Sequence, residues 1–267
     1  MISSDRQRWL NELEVTPQLW ESLPLLGEGQ FLWQGAEARY RGPLQLGTAF
    51  LVHQGPFLIS EPSLTLEPSL LDRVYISETG DGRASALEVD FPHRRTRLEV
   101  TGSDHLQEKL SQLAAIFGWE MKPETQPLAA RRALRESPLC PCCTEACEQR
   151  VAGMSNHPLA WILADRIDAG EGLFLTLATP GAHLAALHRP QSLHSEGPHL
   201  VSRGEEGEFA LDMRHLYSLR THPVRLDGEE HLQLTLMNTR GEEMLSLAAP
   251  SASVSRIWPR FLGAVRP

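Results

Sequence analysis

Parts of this chain repeat at a nearly fixed distance. Gly27-Glu28-Gly29-Gln30-Phe31-Leu32 returns as Gly170-Glu171-Gly172-Leu173-Phe174-Leu175, a displacement of 143 positions. Val74-Tyr75 returns as Leu216-Tyr217, displaced by 142, and Ile116-Phe117-Gly118 as Phe261-Leu262-Gly263, displaced by 145. One Gly-Glu-Gly match carries little weight, but an ordered set at near-constant spacing is the signature of an internal duplication. The 267 residues give two halves of ordinary domain size. We place a first half at 1–122, a linker at 123–155 and a second half at 156–267.

The local pattern of both halves runs helix, strands, helix. From Asp5 to Leu26 the apolar residues Trp9, Leu10, Leu13, Leu19, Trp20, Leu23 and Leu26 suit helical turns. The turns break at Thr16-Pro17, where Thr16 caps and Pro17 opens a second short helix. Short apolar runs bounded by Gly and Pro follow, reading as strands at 30–34, 48–53, 55–60, 74–78, 84–91 and 96–101. Residues 104–117 then turn helical, with Ser103 or Asp104 as the cap. Leu128 to Arg135 offers a short helix. The second half opens with a helix over His157 to Ile167, for which Asn156 and Pro158 form a cap and first-turn pair. Strands follow at 173–178, 183–188, 198–202, 215–220, 231–238 and 244–249, and Ser251 to Val265 closes the chain as a helix. Many strands without alternating helices predict an α+β fold, each half an antiparallel β-sheet with packed helices.

A formal net charge of −9 argues against a general nucleic-acid binder, which presents a basic footprint. No run of 18 apolar residues predicts a membrane span. Met1 to Trp9 lacks the apolar centre of a signal peptide, so a cytoplasmic location is expected. There is no G-x-S-x-G, P-loop or H-E-x-x-H, and Gly27-x-Gly29 and Gly170-x-Gly172 read as helix-to-strand turns rather than nucleotide fingerprints.

All four cysteines, Cys140, Cys142, Cys143 and Cys147, fall in the linker. Tight clustering in a chain without export signals points to metal or redox chemistry. Four thiolates suit Zn2+ or an iron–sulfur cluster, and Arg131, Arg132 and Arg135 would lower thiol pKa values. The C-x-C-C-x3-C spacing differs from paired C-x2-C knuckles, so a surface linker with free or locally oxidised thiols stands beside that reading. His157 is a further candidate ligand. His183, His188, His194, His199, His215, His222 and His231 crowd the second half without a metal-ligand spacing; most read as ordinary surface or sheet residues. Arg94, Arg95 and Arg97 read as a solvated turn.

The layout resembles the haem-utilisation family of cytoplasmic haemin-transport and haemin-degrading proteins, which have two related halves. The resemblance lies in Gly55-Pro56-Phe57-Leu58-Ile59-Ser60-Glu61-Pro62-Ser63-Leu64-Thr65-Leu66, and in Asp72-Arg73-Val74-Tyr75-Ile76-Ser77-Glu78 followed by Ser85-Ala86-Leu87-Glu88-Val89-Asp90-Phe91. It implies a haem or related tetrapyrrole in a cleft between the halves. The family's ligating histidine opens the second half, where this chain has His157-Pro158-Leu159-Ala160-Trp161-Ile162-Leu163 and Arg166. The resemblance thus implies His157 as axial ligand and Arg166 as propionate partner, both sensible chemically. At most it implies haem degradation, with O2 and external reductant carrying the chemistry. The family's late strand offers aromatic, amide and arginine side chains, whereas this chain has Leu245-Ser246-Leu247-Ala248-Ala249-Pro250. Two further readings therefore stand: a metal-binding or redox-sensing module, and a protein that kept the fold for a protein partner or homodimer.

Overall fold

The computed structural model describes residues 9–52, 55–78, 83–91, 96–123, 144–226, 228–252 and 254. It divides into two units. Unit 1 comprises Met1–Ala36, Tyr40–Ser137 and Thr179–His183; unit 2 comprises Glu37–Arg39, Pro138–Ala178 and Leu184–Pro267.

Unit 1 is built on an antiparallel sheet whose described strands run β10 (Gly118–Pro123), β1 (Trp9–Leu13), β7 (Arg73–Glu78), β8 (Ala84–Asp90), β9 (Arg97–Thr101), β2 (Glu28–Gln34) and β3 (Ala38–Gln45). A smaller antiparallel set joins β4 (Phe50–Leu51), β5 (Phe57–Ile59) and β6 (Ser63–Leu66). Helix α1 (Pro17–Ser22) starts at Thr16, whose Oγ1 accepts the Leu19 N–H at 3.3 Å. Helix α2 (Asp104–Phe117) is capped by Ser103 and buries Leu106, Leu110, Leu113 and Ala114. That spacing keeps one apolar stripe against the sheet, and each fully buried leucine contributes about 1.5–3 kcal/mol.

Unit 2 contains α3 (Thr144–Ala152) and α4 (Pro158–Ala169). One antiparallel set is β13 (Pro190–Glu196), β14 (His199–Gly204) and β15 (Glu208–Asp212). The other runs β16 (Leu216–Leu226), β17 (Glu229–Asn238), β18 (Glu243–Pro250), β11 (Leu173–Thr179) and β12 (Ala182–His188). Antiparallel sheets with a few packed helices make the fold α+β, as the sequence pattern predicts.

The duplication extends into helix-start chemistry. Thr16-Pro17 opens α1 and His157-Pro158 opens α4, and a tryptophan, Trp20 or Trp161, stands three positions past each proline. Gly27 (φ 77) and Gly170 (φ 65) end the two helical segments in the left-handed half of the map, where glycine has no Cβ to clash.

Several expectations change. Trp9 to Leu13 forms a strand rather than a helical turn, because it pairs on both sides, with β10 and β7. Five residues are too few for periodicity to separate helix from strand. Strands β3, β10, β13 and β15 do not stand out in the sequence. β10 follows directly on α2, and the apolar–polar alternation of Trp119 to Lys122 is too short a run to set a strand apart from the end of the helix. The helix expected at 128–135, and most of that expected at 251–265, lie outside the described residues.

Candidate functional site

The second half opens in a 3-10 turn, Met154–Asn156, and then His157 in extended geometry (φ −72°, ψ 140°). Pro158 occupies the first helical position, where its missing N–H costs nothing. The N-cap of α4 is therefore His157, not Asn156: its carbonyl accepts the N–H of Ala160 at 2.9 Å. Its Nδ1 accepts the N–H of Leu159 at 3.1 Å. A Pro at the first turn fixes the preceding residue as the cap, and that signal was present in the sequence.

This cap decides the chemistry of the ring. A backbone N–H can only donate, so Nδ1 is the acceptor and the proton of the neutral ring sits on Nε2. Burial lowers the His157 pKa to about 4, so the imidazole is neutral across the physiological range. A neutral ring is the form that ligates iron. Ligation through Nε2, however, would require that nitrogen to lose its proton, and the simplest route is release of the cap with transfer of the proton to Nδ1.

Arg166 lies two turns further along α4 and is 1 % exposed. Its Nη1 donates to Glu171 and its Nη2 to Asp165. Glu171 keeps half of its side chain exposed (51 %), and its N–H donates to the Arg166 carbonyl at 3.0 Å. A propionate would have to take the place that the Glu171 carboxylate holds. Around these two residues α4 buries Leu159, Ala160, Ile162 and Leu163.

Of the thiols, Cys140, Cys142 and Cys143 lie outside the described residues. Cys147 is buried on α3, and Arg150 Nη2 donates to its sulfur at 3.3 Å. Arg150 Nε in turn donates to the carbonyl of Arg214 at 3.1 Å. Among the described residues there is no group of three or more His, Cys, Asp or Glu able to hold a metal ion.

Arg214 belongs to a polar network that no local spacing announces. Its Nε donates to Asp212 Oδ1 at 2.9 Å and its Nη2 to Asp212 Oδ2 at 2.6 Å. His215 Nε2 is 3.8 Å from the same carboxylate. Burial, opposed by the Asp212 charge, lowers the pKa values of His199 and His215. Nearby in unit 2, Glu37 Oε1 accepts from Asn238 Nδ2 and Arg240 Nη2, each at 3.0 Å. Arginines that neutralise buried carboxylates, with neutral imidazoles beside them, form a structural lattice.

Of the second-half histidines, expected mostly as surface or sheet residues, three are buried: His188 on β12, His231 on β17 and His215 just before β16. His188 is fully buried, its Nε2 2.8 Å from Ser202 Oγ and its ring edge-on to Phe209. His215 and His231 are 4 % and 7 % exposed. In unit 1 the counterpart of His157 is Thr16. With Pro17, Trp20, Glu67 and Pro68 it lines a groove of about 710 Å³, and it has no nitrogen to offer a metal. On β18, Leu245, Ser246, Leu247, Ala248 and Ala249 are all buried. Ser246 is bonded to Thr235 at 3.2 Å and Glu243 at 2.7 Å.

No family model matches the sequence, and no curated protein matches it. Solved structures do match in fold. ChuS, an Escherichia coli haem oxygenase, aligns over 97% of this chain and 89% of its own, at 15% identity and a TM-score of 0.67. Holo-PhuS, a haem-binding protein from Pseudomonas aeruginosa, aligns over 90% of this chain and 81% of its own, at 10% identity and a TM-score of 0.67. The fold that the resemblance implied is thus the fold of this chain. At such identities the likeness shows architecture, and function must be argued from the site.

Proposed function

We propose that this chain is a cytoplasmic protein that binds or carries haem or a related tetrapyrrole, with His157 as axial ligand. The observation that carries the reading is a half-buried, neutral imidazole at the start of the helix that opens the second half. It stands on a fold shared over nearly the whole chain with ChuS and PhuS. Bound haem would supply an iron that imidazole nitrogen ligates. His157 offers that nitrogen once its ring turns from the Leu159 N–H. Arg166 serves as propionate partner when a ligand carboxylate displaces Glu171, an exchange of like for like.

Haemin titration followed in the Soret region tests this. One equivalent should give a shifted band in the wild type that is absent from His157→Ser, a variant that keeps a helix cap. A wild-type spectrum identical to free haemin would overturn the reading.

Two observations favour a second reading, a partner-binding protein that kept the fold. Arg166 is already committed to carboxylates, and the late strand β18 is buried and apolar where polar haem contacts are expected. A Zn2+ or iron–sulfur module built on Cys140, Cys142, Cys143 and Cys147 draws the least support, since Cys147 is a buried helix residue turned to Arg150.

A further inference from the structure

Strand β10 (Gly118–Pro123) lies at the end of the unit 1 sheet, hydrogen-bonded to β1 and, among the described residues, to no strand on its other side. Open edges are normally short, twisted away or covered, because their unpaired N–H and C=O groups recruit other strands. This one carries large apolar side chains in water. Trp119 is 64 % exposed and Met121 53 %, and Ile116, at the end of α2 just before the strand, is 71 % exposed. On the other face of the strand stand Glu120 and Lys122, with Nζ and Oε2 2.5 Å apart. The register with β1 sets Glu12 directly opposite Glu120, a like-charge pair that disfavours the sheet.

We infer that this edge pairs with the same edge of a second copy of the chain, antiparallel and about a two-fold axis through Met121. Charge decides the occupant and the register. In a symmetric antiparallel pair, facing residues must point to the same side of the sheet, which leaves two central registers for a strand this short. Centring on Glu120 sets that carboxylate against its own copy. Centring on Met121 sets Glu120 against Lys122 in both directions, stacks the two methionines and places Trp119 over Pro123. Only the second is attractive, and it supplies Glu120 with two ammonium groups against Glu12. A strand of six residues buries less than the roughly 1,200 Å² of a stable interface, so the dimer should be weak, with a Kd on the order of 100 μM. The surface lies in unit 1 and does not depend on the ligand reading of His157.

Sedimentation equilibrium on the full chain, over roughly 10 to 500 μM so as to span that Kd, tests it with a charge exchange. The wild type should dimerise with concentration. Glu120→Lys alone and Lys122→Glu alone should each be monomeric, because every cross-strand pair becomes like-charged. An equimolar mixture of the two variants should dimerise again, because both pairs of the mixed dimer become attractive. Circular dichroism of these surface variants checks that each is folded. A monomeric wild type across the range overturns the inference, as does a dimer unchanged in the single variants or a mixture that stays monomeric.

Discussion

His157 takes the backbone N–H of Leu159 on its Nδ1 at 3.1 Å. The residue proposed as a ligand is therefore also the one that closes the N-terminus of α4. Histidine is not a favoured cap; Ser, Thr, Asp and Asn are better.

That conflict separates two variants. His157→Ser should leave thermal stability equal to or above the wild type, since the hydroxyl replaces the cap. His157→Ala should cost about 1 kcal/mol. Both should lose any haemin-induced Soret shift. Thermal melts beside haemin titrations give the comparison, and a stability loss in the serine variant larger than in the alanine variant would contradict the capping role.

Acid should loosen the fold through its buried imidazoles. Burial lowers the pKa of His188 to about 4 against 6.5 for the free side chain, with the Glu206 charge opposing. Between those values the unfolded chain binds a proton that the folded chain excludes. Stability from this group is complete above pH 6.5 and is lost as pH falls from 6.5 to 4. The loss is at most about 3 kcal/mol. Urea midpoints at pH 7 and pH 4.5 should differ less in His188→Gln than in the wild type; equal differences would place the acid sensitivity elsewhere.

In unit 1, Glu88 and Arg97 form an ion pair at 0 % and 1 % side-chain exposure. Arg97 Nη2 also lies 3.4 Å from Glu99 Oε2, so removing Glu88 leaves the guanidinium one partly buried carboxylate instead of two. Glu88→Gln should cost less than the roughly 3–5 kcal/mol of a fully uncompensated buried charge, and the double change Glu88→Leu with Arg97→Met should cost less still. Chemical denaturation of the three proteins reads this, and additive losses would show that the two groups do not act as a pair.

On the proposed haem reading, Glu171, paired with Arg166, holds the place that a propionate would take. Glu171→Gln weakens its hold on Arg166 without altering the helix, so haemin should bind several-fold tighter than to the wild type. Equal affinity in the two proteins would remove Arg166 from the site.

The architecture was largely legible in the residues. The repeated Gly-Glu-Gly segments and their constant displacement gave the duplication. Period-two apolar runs such as 84–91 and 231–238 gave the sheets, and Pro17 and Pro158 marked the starts of α1 and α4. The strand at Trp9 to Leu13 was not legible, because its conformation is chosen by its two neighbours. Neither was β10, whose side chains face water. The site was half legible. His157 could be named as a candidate only through the family resemblance, but its role as a cap, and the proton position that follows, depend on the bond to Leu159.

The sequence by itself determined a duplicated antiparallel α+β chain, because apolar periodicity and helix-end chemistry are local properties. Only the tertiary structure decided which polar groups neutralise one another. Glu37 meets Asn238 and Arg240 from some two hundred positions away, Glu88 finds Arg97 across neighbouring strands, and Arg166 is taken by Asp165 and Glu171. Charges pair according to who is buried beside whom, and burial is a property of the packed chain.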